Sequence, residues 1–385
     1  MVGMSDVVVV GAGISGAATA YELAARGISV TLVDRYGPAA MASGWTLAGV
    51  RQSGRHRAEW PLAAAAVALW ADLSQRLDAP THYRRGGNLR CARNEAEAAR
   101  IAALVEAQSA DGFDIRLVGH DEIAALAPLV SPHVVCASFC AGDGHADPVA
   151  TVNAYVEAGR RLGVETRFGE RVLRLETASG RVTGLVTDRG RLPAGRVVLA
   201  TGVFANELIA PLGHRVPFET MSATMVQSVP VPPQLVPVVG VANGDTTARQ
   251  EAGGQIRFGG GHESWNGVMS EDPFPSVRPA ANSVRALLER LEALLPAFAG
   301  LRIERLWCGL IDQTPDAIPV VDTLPGCEGA VLATGFSGHG FCLGPATGTI
   351  LAALALGEPS PLPIGPFALG RFAGATAASG VELHG

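Results

Sequence analysis

The run Val7–Val10 followed by GAGISG constrains this 385-residue chain more than any other feature. Four consecutive β-branched residues read as a strand buried on both faces. The segment AATAYELAARG reads as a helix ending at a glycine cap, Gly27, and ISVTLVD as a second strand. The glycine pattern therefore sits between a strand and a helix inside a βαβ unit of about 30 residues, the context that gives the motif meaning. Gly11 permits the tight turn, Gly13 lets backbone approach a pyrophosphate, and Gly16 lets helix pack on strand. Ala12, Ile14 and Ser15 complete the turn, and the helix N-terminus offers amide hydrogens and partial positive charge to phosphates. Asp34, followed by Arg35, closes the second strand. Its carboxylate suits ribose hydroxyls and repels a 2′-phosphate, which disfavours NADP.

The rest of the chain distinguishes FAD from NAD. A chain of this length predicts two compact units, or one large unit with insertions. The third element does not continue as a simple βα repeat. AAMASGWTLAGVRQSGRHR is a loop rich in small residues, able to run close along an extended cofactor. The stretch 169–202 predicts a three-stranded meander, with turns at Ser179-Gly180 and Arg189-Gly190, then an apolar strand and ATG. Near the C-terminus, GAVLATGFSGHGFCLGPATGTILAALALG repeats strand, glycine-rich turn and helix. Two late returns to a nucleotide-type pattern suit a long cofactor touched from distant parts of the chain, namely FAD.

Composition excludes other classes. The net charge is −6, so a basic footprint for nucleic acid is missing. The cluster Arg51, Arg55, Arg57 reads as a local anion site or a solvated face. No span of about 18 uncharged apolar residues predicts a membrane helix, and no basic segment precedes an apolar one as in a secretory signal. The expected location is cytoplasmic, with six scattered cysteines as reduced, mostly buried thiols. No zinc spacing, P-loop lysine or Ser/His/Asp elbow is present, and no metal is expected.

Four segments together resemble the FAD-dependent amine and amino-acid oxidoreductases, the D-amino-acid oxidase, glycine oxidase and sarcosine oxidase family. GFSGHGF at 335–341 with GPATG at 344–348, and LWCGLIDQTPDAIPVVD at 306–322, are more specific than the first glycine motif. ASGWTLAGVRQ is more similar to the sarcosine oxidase β-subunit and opine or hydroxyproline dehydrogenase branch than to glycine oxidase. The resemblance implies an α/β fold, α+β overall. A doubly wound, Rossmann-like FAD domain would be assembled from 1–80, 145–215 and 302–370. A mixed-sheet substrate domain would come from 81–144 and 216–301, with 371–385 as a C-terminal tail. It implies FAD contacts by Ala42, Ser43, Gly44, Leu47, Ala48, Gly49 and Val50, by Val172, by Ala200, Thr201 and Gly202, by Gly309, and by Gly335, Gly338, His339, Gly340 and Phe341. Where relatives attach flavin through a cysteine, Gly309 stands here and Cys308 lies one residue away on the other face, so noncovalent FAD is expected.

The implied chemistry is oxidation of a C–N bond of an amino acid, an N-substituted glycine or a related amine to an imine, with O2 or a partner redox subunit as electron acceptor and oligomerisation open. Pro345 is expected in the first turn of the last helix, whose N-terminus would favour the reduced flavin. A substrate carboxylate calls for an arginine. Arg51 is the first expectation and Arg257 the second, with His262 and Glu263 behind them; His339 either touches the flavin or pins its turn. Trp45, Trp265 and Phe341 are candidate walls, and His82 and Tyr83 stay unassigned. Three rivals remain: the flavin β subunit of a heteromeric dehydrogenase, a noncatalytic flavin-binding scaffold, and an NAD-dependent dehydrogenase.

Overall fold

The computed structural model describes residues 5–373. Of the expected tail 371–385, the part from residue 374 onward lies outside the described residues. Two large sheets organise the molecule. The first has six strands in the order Val320–Thr323, Ala330–Thr334, Val197–Leu199, Val7–Val10, Val30–Asp34, Glu165–Phe168. All neighbours are parallel except the edge strand Val320–Thr323. Val7, Val8 and Val9 have no exposed surface, as a strand covered on both faces requires.

On one face the helices Ile14–Ala25, Pro148–Arg161 and Gly340–Ala355 pack together, Ile14, Ala18 and Leu351 sharing one apolar core. The opposite face is covered by the meander Val172–Ala178, Arg181–Thr187, Gly190–Pro193, through Val172, Leu175, Leu185 and Leu192. Its first turn has positive φ at both Ser179 (51°) and Gly180 (74°), the mirror-image geometry that suits a twisted hairpin.

The second sheet has eight strands in the order Ile303–Gln313, Glu219–Ser228, Ile256–Ser264, Thr247–Gln250, Val238–Val241, Asn88–Ala92, Cys136–Cys140, Ile115–Val118. It is mixed, with Val238–Val241 and Asn88–Ala92 the parallel pair. The proline-rich stretch before Val238 forms no strand, and the strand begins immediately after Pro237, where amides can again enter the ladder. Ile303–Gln313 falls in a segment expected with the cofactor unit, yet it pairs along Glu219–Ser228 in this second sheet.

The final helix corrects one expectation. It begins at Gly340, so Pro345 lies inside it rather than in its first turn. Proline lacks the N–H that would meet the Phe341 carbonyl, which normally makes an interior site unfavourable. Here residues 341–348 are all buried, and packing overrides local preference.

Candidate active site

Two cavities lie between the sheets. One, of about 280 Å³, reaches from Gly13, Ile14 and Ser15 to Gly338, His339 and Arg90. The other, of about 140 Å³, holds Gly11, Asp34, Arg35, Val172 and Thr201. Gly13, Ala42, Ser43, Ala200 and Gly202 line both, so the two meet beside the first glycine turn as one long trough.

The turn is built as its sequence demands. A β-carbon on Gly11 would lie 2.3 Å from the Ala200 carbonyl oxygen, and one on Gly16 would lie 1.9 Å from that of Gly11. The Ile14 amide donates to Ser43 Oγ at 3.0 Å, placing the loop 42–50 against the helix N-terminus. Asp34 braces the turn: Oδ2 accepts from the Ala12 amide (2.8 Å) and Oδ1 from those of Tyr36 (2.7 Å) and Gly37 (2.8 Å). Arg35 donates to Glu207 at 3.0 Å and lies over the Phe204 ring. Thr201 Oγ1 is buried without a hydrogen-bond partner, an orphan that a polar cofactor group would satisfy.

At the other end, Gly309 on its strand and Leu47, Gly49, Gly338, Gly340 and Phe341 line the larger cavity. Trp45 joins them, whereas Trp265 does not line it and packs against the cluster of Val277, Cys308 and Leu310. Ala12, Gly16, Gly44, Ala48, Val50 and Gly335 do not line either cavity. They shape the turns behind the wall: Gly44 fits closely under Ala39, and Ala48 and Val50 are fully buried.

The late glycine loop rests on a carboxylate that sequence reasoning missed. Asp312, 8% exposed, accepts from the Gly335 amide at 2.6 Å, the Phe336 amide at 3.1 Å and the Thr334 hydroxyl at 3.1 Å. The signal was present in LIDQTPD, but an acidic residue inside a strand does not announce its partners. Burial pushes the Asp312 carboxyl up, and those donors oppose the shift. Gly335 and Gly338 have φ of 69° and 86°, a region glycine enters without strain.

His339 lines the cavity, and its Nδ1 lies 3.3 Å from Glu59, itself fully buried. Burial, then the Arg55 guanidinium, lowers His339 to about 4, so the ring is neutral near pH 7. Burial alone would push Glu59 up, but His339, Arg55 and Arg51 overcome it and hold it ionised. Arg51 also lines the cavity. Its Nη1 donates to the carbonyls of Ser53 (2.6 Å) and Gly54 (3.1 Å), and its backbone meets the Cys342 thiol.

Arg257 lies elsewhere. It is not a cavity-lining residue: its Nε pairs with Glu251 at 2.6 Å and its Nη1 donates to the Thr46 carbonyl at 2.8 Å. Trp307 Nε1 donates to the Trp45 carbonyl at 2.8 Å, and Arg249 Nε to that of Leu47. Three side chains of the second sheet thus clamp three successive carbonyls of the loop. His262 lines the cavity and Glu263 does not; burial and Arg290 lower His262 to about 4. Cys308 packs in a cluster with Val277 and Leu310 and does not line the cavity that Gly309 lines.

A long trough with a dinucleotide turn at its middle fits FAD, and comparison with known proteins agrees. Residues 6–354 match the family model described as FAD dependent oxidoreductase (DAO). The chain is 27% identical to sarcosine oxidase subunit beta of Rhodobacter capsulatus, over 95% of this chain and 88% of that one. Among solved structures, L-proline dehydrogenase from P. horikoshii superposes with a TM-score of 0.89 at 26% identity, over 96% of this chain and 98% of that one. Glycine oxidase from Geobacillus kaustophilus gives 0.88 at 24% identity, over 96% and 99%. Among the described residues no helix is long and apolar enough to cross a membrane. The chain belongs to the DAO family of FAD-dependent oxidoreductases.

Proposed function

We propose that this protein oxidises the C–N bond of an amino acid, an N-substituted glycine or a related amine to the imine, which water then hydrolyses to a keto acid or aldehyde plus an amine. The observation that carries this reading is the continuous trough from Asp34 to His339, holding a dinucleotide turn midway and opening onto buried arginines at one end. Bound FAD supplies a two-electron acceptor for the hydride leaving the carbon beside nitrogen. Gly11, Gly13–Ser15, Asp34, Val172 and Ala200–Gly202 would hold the adenosine and pyrophosphate half. Leu47, Gly49, Gly309 and Gly338–Phe341 border the ring. Cys308 does not line the cavity, and the Cys342 thiol, which does, is engaged with the Arg51 backbone, which supports a noncovalent cofactor.

The chain's own groups orient and exclude water more than they shuttle protons. The neutral His339 ring, fixed by Glu59, positions the late loop. Arg257 braces the loop 45–48 rather than touching substrate. Hydride transfer from a carbon next to a neutral amine needs orientation and dry surroundings more than a strong base.

Anaerobic titration of the yellow holoprotein with D- and L-amino acids, glycine, sarcosine, imino acids and opines tests the reading. Bleaching by at least one of them is expected; bleaching by none leaves a noncatalytic flavin scaffold. The likeness to a sarcosine oxidase beta subunit along 95% of the chain favours a second reading, the flavin subunit of a heteromeric dehydrogenase. Slow reoxidation in air of the bleached protein would support it, and rapid reoxidation would support an oxidase.

A further inference from the structure

The cavity wall beside His339 carries two guanidinium groups without a counter-ion. Arg90 stands on the strand Asn88–Ala92 and lines the cavity; among the described residues its guanidinium has no hydrogen bond or ion pair. Arg55, 4% exposed, also lines it. Its Nε and Nη2 both donate to the Arg51 carbonyl at 3.1 Å, while Nη1 is buried and meets no acceptor. Arg57, the third member of the sequence cluster, turns outward to Asp111.

Arg90 is held flat. A β-carbon on Gly54 would lie 2.6 Å from Cζ, Nη1 and Nη2 alike, so the Gly54 backbone covers one face of the guanidinium. The donor edges are left to the cavity. Burial and the Arg55 charge lower Arg90 to about 10, which leaves it cationic near neutrality. Neither nearby carboxylate forms an ion pair with Arg90 or Arg55 among the described residues. Asp143, fully buried, accepts from the Gln52 amide (2.8 Å), the Ser53 amide (3.3 Å) and the Ser53 hydroxyl (2.5 Å). Glu59 faces His339. Arg90 and the Nη1 of Arg55 are thus left as cationic donors at this end of the cavity.

We propose that Arg90 and Arg55 form an anion subsite that takes one carboxylate of the substrate. The identity of that substrate rests on the amine-oxidising reading above; the unpartnered donors of Arg90 and Arg55 do not. The open edge of a planar guanidinium matches a carboxylate in two parallel hydrogen bonds. Val238, Met225 and Gly240 make the adjoining wall apolar, so the pair would act in dry surroundings.

The test uses the full-length FAD-loaded protein, titrated with sodium acetate and with acetamide at constant ionic strength, and read by the flavin spectrum and by calorimetry. Acetate is expected to bind and acetamide not. Arg90→Leu should weaken acetate by about tenfold or more, and Arg90→Lys by less, because one charged donor remains. Thermal unfolding of each variant confirms folding, and Arg90→Gln replaces Arg90→Leu if the latter does not fold. Equal binding of acetate by wild type and Arg90→Leu overturns the proposal, as does equal binding of acetate and acetamide. With an oxidised substrate in hand, Arg90→Leu should raise KM and leave kcat nearly unchanged. A rise for every amino acid assigns the α-carboxylate to the subsite; a rise confined to dicarboxylic substrates assigns a second carboxylate. If no amine bleaches the flavin while acetate still binds through Arg90, the subsite stands and the reaction falls. If amines are oxidised and acetate is ignored, the reverse holds.

Discussion

The glycine turn at 11–16 and the glycine loop at 335–340 face the same trough but are held differently. The first is braced mostly from its own βαβ unit: the Gly11 amide donates to the Val33 carbonyl at 2.8 Å, and Asp34 receives the Ala12 amide. The second depends on side chains from other parts of the chain. Asp312 holds Gly335 and Phe336, Thr314 and Ser337 share a hydroxyl contact of 3.0 Å, and Glu59, 280 positions away, fixes His339. The first is rigid because atoms of neighbouring segments touch. The second is ordered because buried polar groups are satisfied, and such order is lost when one partner is removed or changes charge.

The largest expected effect falls on the first loop. Gly16→Ala would drive a methyl into the Gly11 carbonyl, a backbone atom that cannot swing aside. We expect a loss of ~3 kcal/mol and a colourless protein, read by thermal unfolding and flavin absorbance. A yellow variant of normal stability would break the contrast. Next is Asp312→Ala, which strands two buried amides and should cost about 2–3 kcal/mol in urea unfolding; Asp312→Asn, which keeps one acceptor, should cost less. A cost below that of an ordinary surface change would show that the late loop does not depend on its carboxylate.

Acid should act through the histidines. Burial lowers His339 to about 4 and His145 to about 2, below the 6.5 of an unfolded histidine. Between pH 6.5 and about 4 the unfolded chain binds protons that the folded one refuses. Stability present above pH 6.5 is therefore lost as pH falls, with a slope of about 1.4 kcal/mol per pH unit for each such histidine. His145→Asn should flatten that slope by one histidine's share, measured as urea midpoints against pH. An unchanged slope would sink the assignment of a neutral buried ring. The smallest effect belongs to the exposed pair Arg181–Glu328, joining the meander to the segment before Ala330. Its removal by Arg181→Ala should change stability by less than about 0.5 kcal/mol, and salt should shrink that difference further.

The two loops also differ in how legible they were. Val7–Val10, the turn, the helix to Ala25 and the strand Val30–Asp34 all follow from hydrophobic period and glycine placement. The meander turns were equally readable, because Ser179-Gly180 needs positive φ and Gly180 permits it. Pro345 misled, because burial on all sides outweighs a missing hydrogen bond. Arg257 was picked for its flanking glycines and an expected strand, but its side chain is spent on Glu251 and Thr46. Arg90 carried no local signal, and Asp312, inside LIDQTPD, showed a buried acid without showing its partners.

Sequence alone determined the strand–turn–helix that approaches a dinucleotide, since its hydrogen bonds and close contacts lie mostly within one short unit and depend on residue type at each step. Only tertiary structure decided which charges face one another. Arg90 reaches Gly54, Glu59 reaches His339, and Asp312 reaches Gly335 across chain separations that no periodicity encodes. A buried charge has its meaning from whatever is packed around it, and that packing exists only once both sheets have formed.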